Sequence, residues 1–209
     1  MKFLLTALLT LISFTASADP QPGNEYMLTQ QLIATDNPAK IEVVELFWYG
    51  CPHCHDLEPV LNPWVSRLPK DVVFKRVPGI PRPDWVTMAK AYYTMEALNV
   101  LEKLHAPLFA TLHPKASFKA NDDAATINWI AIQGGLDRKK VEETFNSFSV
   151  NTKVMRASQI FRASGATGVP TLLIDGKYIT GPTLAGGGPE ALKVADYLID
   201  KARKEKGAK

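Results

Sequence analysis

The 209-residue chain carries two cysteines, Cys51 and Cys54, and both fall in one Cys-Pro-His-Cys motif directly after an apolar, β-branched and aromatic run at residues 41–49. That run, bounded by Pro38 and Gly50, has the pattern of a strand buried on both faces. After Cys54, Leu57, Val60, Leu61, Trp64, Val65 and Leu68 recur at helical spacing, so the motif sits where a buried strand hands over to a helix. A disulfide-stapled mini-fold is excluded by the cysteine count, and so is a zinc site of four cysteines. A hydrophobic fraction of 46% with 22% charged residues is that of an ordinary globular chain. Lys and Arg total 24 against 21 Asp and Glu, a bias too slight to argue for a nucleic-acid partner.

Residues 1–18 read as an export signal: Lys2, an apolar stretch shorter than the roughly 20 residues of a spanning helix, and the small-x-small site Ala16-Ser17-Ala18. Cleavage after Ala18 would place the mature chain outside the cytosol, where disulfides form and persist. Residues 19–40 read as a leader with one short strand at 26–28. The helix over residues 55–68 contains Pro59 and Pro63, which predict a kink, and Pro69 closes it. A second strand is expected at 71–77, followed by strong proline and glycine punctuation at 78–83.

From Asp84 to Phe148 the periodicity is helical throughout, with helices over 84–99, 101–113, 122–133 and 137–145. A long helix follows at 150–164, stopped by Gly165. Asp175-Gly176 between residues 171–174 and 177–180 is a hairpin signal, and Gly188-Pro189-Glu190 opens a last helix. The expected fold is therefore α/β, with an all-helical block inserted at residues 81–149 between two parts of a sheet domain, 19–80 and 150–209. The Lys-rich end, 201–209, reads as a frayed, solvated tail. Gly186-Gly187-Gly188 lacks the spacing and lysine of a phosphate loop and is a turn.

A cysteine at the start of a helix sits over unsatisfied backbone N–H groups and the positive end of the helix dipole, which stabilise its thiolate. Cys51 is the expected nucleophile. His53 can stabilise the thiolate further, and Pro52 fixes the first turn. Stabilising the thiolate stabilises the dithiol state, so each ~1.4 kcal/mol raises the reduction potential by about 30 mV. The motif has two other uses in proteins. A structural disulfide across two intervening residues would stabilise little. A metal site of Cys51, Cys54 and His55 with a distant His105 or His113 has the right ligand types.

Cys51-Pro52-His53-Cys54, the run Glu45-Leu46-Phe47-Trp48-Tyr49-Gly50 before it, Gly168-Val169-Pro170-Thr171 before the hairpin, and the helical insertion together resemble the DsbA family of periplasmic thiol:disulfide oxidases in the thioredoxin superfamily. The resemblance spans the whole mature chain. It implies a thioredoxin-like fold, a periplasmic location, an acidic first cysteine and an oxidising disulfide exchanged with newly exported proteins. It also implies a cis Pro170 facing the cysteines, Val169 offering backbone hydrogen bonds to an extended substrate, and a membrane reoxidase of the DsbB type. No metal and no dissociable cofactor is expected, and the chain is expected to be a monomer. A disulfide isomerase or reductase on the same fold is the alternative activity, and a periplasmic metal-binding protein the alternative class.

Glu45 lies mid-strand among apolar residues, where a carboxylate without a partner is costly. One reading is a proton relay to Cys54, a placement the resemblance supports; the other is a structural ion pair with Lys75 or Arg76 on the next strand. Strand alternation puts Lys75 and Arg76 on opposite faces, so only one of them reaches Glu45. Trp85, Met88, Tyr92, Met95 and Leu98 share helical spacing and read as core of the inserted block. His105 and His113 read as helix decoration.

Overall fold

The computed structural model describes residues 19–113 and 116–207; the export-signal reading of residues 1–18 lies outside them. Residues 41–47 form β2 (Ile41–Phe47), every position of which is buried, as the apolar run requires. It pairs in parallel with β3 (Val72–Pro78) and antiparallel with β4 (Thr171–Ile174), which continues through β5 (Tyr178–Thr180) to the short β1 (Met27–Leu28). The order β1-β5-β4-β2-β3 places β2 inside the sheet. The strand that delivers the chain to Cys51 therefore has hydrogen-bonded neighbours on both sides.

The β4–β5 turn is made by Asp175 and Gly176, both at positive φ (51° and 67°), which the mirror-image hairpin turn demands. A Cβ on Gly176 would also collide with the Ile33 carbonyl, so the turn is packed as well as tight.

Side chains from alternate positions of β2 enter two cores. Ile41 and Val43 pack with Leu57, Leu61 and Trp64 of α1 (Pro52–Val65) and with Leu198 and Ile199 of α8 (Gly188–Gly207). Val44 and Leu46 pack on the other face with Met88 and Met95 of α2 (Val86–Ala97) and Ala157 and Phe161 of α6 (Phe148–Ser164). That second core runs without a break into α3 (Leu101–Leu112), α4 (Asp123–Gly134) and α5 (Arg138–Phe145). Met88, Tyr92 and Met95 are buried in it as their spacing predicts, with Trp85 and Leu98 at its margin.

Two expectations are corrected and one element is new. The helix after the cysteines begins at Pro52, not His55, and keeps both Pro59 and Pro63 inside it. A one-turn α7 (Pro182–Ala185), not anticipated, follows β5. Residues up to Gly207 belong to α8 and are not frayed: Lys206 Nζ donates to the Pro38 and Lys40 carbonyls at 3.1 and 2.7 Å and pairs with Asp175, while Arg203 pairs with Asp71 at 2.7 Å.

Candidate active site

Cys51 is the N-cap of α1, with extended dihedrals (φ −92°, ψ 116°), and Pro52 opens the helix where a missing N–H costs nothing. The Cys51 N–H donates to the Trp48 carbonyl at 2.9 Å, and its own carbonyl accepts from Cys54 N and His55 N at 3.2 Å. Gly50 makes this corner possible. A Cβ there would lie 2.3–2.6 Å from the Trp48 ring, which is itself stacked on Trp85 at 4.1 Å and 6°.

Both cysteines are free thiols. Cys51 Sγ lies 3.5 Å from the Val169 carbonyl oxygen, and the Val169–Pro170 peptide bond is cis. Cys54, one helical turn further in, has no exposed surface. The two thiols are pushed in opposite directions. Cys51 is lowered to about 6, chiefly by a hydrogen bond from the Cys54 thiol and then by the backbone N–H groups of Cys54 and His53 and the His53 charge, with burial opposing. Burial and the neighbouring Cys51 hold Cys54 well above the usual thiol range.

Glu45 is fully buried behind the pair. The parallel register sets Arg76 beside it, and Arg76 Nε donates to Glu45 Oε2 at 2.9 Å. Lys75 turns to the other face and pairs with Glu42 and Asp36 at 2.8 and 2.7 Å. Glu45 Oε1 has no hydrogen-bond partner among the described residues. Burial raises the Glu45 carboxyl to about 8, against the pull of Arg76 and helped by the Glu58 charge.

Sequence reasoning passed over Glu58. Its carboxylate accepts from Arg76 Nη2 at 3.0 Å and from Asn62 Nδ2 at 2.9 Å, with His105 Nε2 at 3.6 Å. Although burial opposes it, these donors hold Glu58 down at about 2. One arginine thus serves two carboxylates, and the better-solvated one keeps the charge. The signal was available: Glu58 shares the buried face of α1 with Cys54, Leu57 and Leu61.

His105 and His113 are not decoration. His105 Nδ1 is 2.6 Å from the Tyr49 hydroxyl, His113 Nε2 is 2.9 Å from the Tyr49 carbonyl, and His113 stacks on His55 at 5.2 Å. They buttress the residue two before Cys51. Among the described residues no three His, Cys, Asp or Glu side chains converge in a metal-binding arrangement, so these histidines and the cysteines do not form one ligand set.

A groove of about 340 Å³ runs beside Cys51, walled by His53, Asp56, Leu57, Val169, Pro170 and Pro182. A larger cavity, about 640 Å³, opens on the ion-pair network, with Arg76, His105 and Tyr92 in its wall.

A family model described as a DSBA-like thioredoxin domain matches residues 70–187. The thiol:disulfide interchange protein DsbA of Pseudomonas aeruginosa is 37% identical over 206 residues, covering 97% of each chain. The chain belongs to the DsbA family. The DsbA of Bordetella pertussis is 38% identical over 192 residues, 91% of this chain and 90% of that one. A crystal structure of Pseudomonas aeruginosa DsbA superposes with a TM-score of 0.82 at 38% identity, covering 89% of this chain and 96% of that chain. As a DsbA family member with two neighbouring cysteines on a thioredoxin fold, the chain is a thiol:disulfide oxidoreductase. Among the described residues no helix is long and apolar enough to cross a membrane.

Proposed function

We propose that this oxidoreductase works as an oxidase: its Cys51–Cys54 disulfide accepts two electrons from pairs of thiols in reduced, newly exported proteins. The observation that carries this reading is the asymmetry of the pair, with Cys51 acidic at a helix N-cap and Cys54 sealed beneath it. A low-pKa thiol is a good leaving group, and stabilising its thiolate favours the reduced enzyme.

A substrate thiolate attacks Cys51 Sγ of the oxidised enzyme, the Cys51–Cys54 bond breaks, and Cys54 leaves as a thiolate that takes up a proton. Glu45 is protonated at neutral pH, lies behind the pair, and supplies that proton; the cavity beside Arg76 and His105 gives its network access to water. The second substrate thiol then attacks the substrate sulfur of the mixed disulfide, and Cys51 departs as its stable thiolate. The substrate has become a disulfide and the enzyme a dithiol, with no dissociable cofactor involved.

In this reading Cys51 and Cys54 exchange electrons, Pro52 and His53 tune Cys51, and the Val169–Pro170 segment holds an extended substrate chain in the groove beside it. Residues 19–80 and 150–209 form the thioredoxin-like scaffold and residues 81–149 an inserted helical block; α2 to α5 fall between β3 and α6 in the chain, which supports that division. The protein acts in the periplasm after residues 1–18 are removed, and a membrane reoxidase of the DsbB type restores the disulfide. The test is to mix oxidised protein with a reduced dithiol peptide and no other oxidant. Stoichiometric peptide disulfide and reduced enzyme are expected; an equilibrium that leaves the peptide reduced would overturn the direction proposed.

A further inference from the structure

The groove beside Cys51 is apolar along most of its wall, from Leu57 through Val169 and Pro170 to Pro182, and Asp56 is its one acidic side chain among the described residues. The fold makes no use of that carboxylate. Its side chain is 72% exposed, and among the described residues the imidazole Nδ1 of His55, 4.0 Å away, is the one basic group it meets. Asp56 stands three residues after His53 on α1, so both face the same side of the helix and both reach the groove. Gly188 closes the groove against Leu57, and the Glu190 carboxylate lies over the neighbouring Gly187. Asp56 thus sets a carboxylate beside His53 at the rim of the groove, on a chain whose net charge is +3. An apolar trough with an exposed carboxylate at its edge has the complement of a chain segment pairing an apolar side chain with a lysine or arginine.

We propose that Asp56 is a specificity-determining residue, which favours substrate segments carrying a basic side chain close to the reacting cysteine. This rests on reading the groove as the substrate site. The carboxylate is solvated in the free enzyme, so its attraction is modest at equilibrium and is expressed as a difference in rate between substrates. A solvent-facing pair contributes about 0.2–1 kcal/mol, which corresponds to as much as about fivefold in kcat/KM. Salt weakens it, since the screening length falls from about 10 Å at 0.1 M to about 3 Å at 1 M.

The test uses three dithiol peptides, identical except for Lys, Gln or Glu two residues from the first cysteine, and a fourth in which a neighbouring Leu is replaced by Ser. Second-order rates of reduction of the oxidised enzyme are measured at one pH for wild type, Asp56→Asn and Asp56→Lys. Wild type is expected to react in the order Lys, Gln, Glu, with the spread shrinking as salt is added. Asp56→Asn should compress the spread, and Asp56→Lys should reverse it. Equal wild-type rates, or a spread unaltered in Asp56→Asn, overturns the proposal. The Leu-to-Ser peptide tests the groove separately: a rate that ignores this change counts against the groove as the substrate site, while a charge order that follows residue 56 still supports the role of Asp56.

Discussion

Arg76 reaches from β3 to the Glu45 carboxylate on β2, Nε to Oε2 at 2.9 Å, and through Nη2 holds Glu58 on α1 at 3.0 Å. The side chain ties the sheet to the helix that carries the cysteines. It also leaves two carboxylates to share one positive charge, so Glu58 ionises and Glu45 holds its proton.

Removing that shared cation should be costly. Arg76→Met strips the buried Glu58 carboxylate of its arginine and Glu45 of its Nε donor, a loss in the range of about 3–5 kcal/mol. Arg138→Ala, which breaks an exposed i,i+4 pair with Glu142, should cost no more than about 0.5 kcal/mol. Urea denaturation of both variants measures the contrast, and similar midpoints would contradict the network's role.

Glu45 makes stability depend on pH in a known direction. Its folded value, about 8, lies above the unfolded value of about 4.3, so between these the folded chain binds a proton that the unfolded chain lacks. Its contribution is therefore lost as pH rises through that window, by up to about 1.4 kcal/mol per pH unit. Glu58 has the opposite sign: its folded value of about 2 is depressed, so its contribution is present above about 4.3 and is lost as pH falls towards 2. Denaturation measured from pH 5 to 8 should show wild-type stability falling relative to Glu45→Gln as pH rises, a comparison in which the opposite contribution of Cys51 cancels. Parallel slopes would remove Glu45 as the titrating group.

The acidity of Cys51 depends first on its partner thiol. Cys54→Ala deletes that donor, whereas Cys54→Ser keeps a hydroxyl in its place. Titrating the ultraviolet absorbance of the Cys51 thiolate should give a midpoint shifted towards the ordinary thiol range in the alanine variant and a smaller shift in the serine variant. Equal midpoints in wild type and Cys54→Ala would assign the acidity to the helix terminus alone.

The buried strand, the helix start, the Asp-Gly hairpin and the helical block all follow from local patterns, because period, turn chemistry and capping are properties of short segments. The helix dipole and His53 were expected to acidify Cys51; the contact that contributes most is Sγ to Sγ, which depends on how the first turn packs. Alternation limited the Glu45 partner to Lys75 or Arg76, and strand register alone decides for Arg76. The parts played by His105 and His113 come from α3 folding back over Tyr49, a contact between residues more than fifty apart that no local pattern encodes. The lysine-rich end reads as frayed because its partners, Asp71, Asp175 and the carbonyls of Pro38 and Lys40, lie far from it in the sequence.

The oxidase reading stands or falls on the reduction potential of the Cys51–Cys54 pair as a function of pH, measured by equilibration with glutathione buffers. Below about pH 6 reduction takes up two protons, and the potential should fall by about 59 mV per pH unit; above it Cys51 remains a thiolate, and the slope should halve to about 30 mV up to the range where Glu45 titrates. The potential at pH 7 should be clearly more oxidising than the about −270 mV of thioredoxin. A potential at or below thioredoxin's, with a single slope of about 59 mV through pH 7, would contradict it.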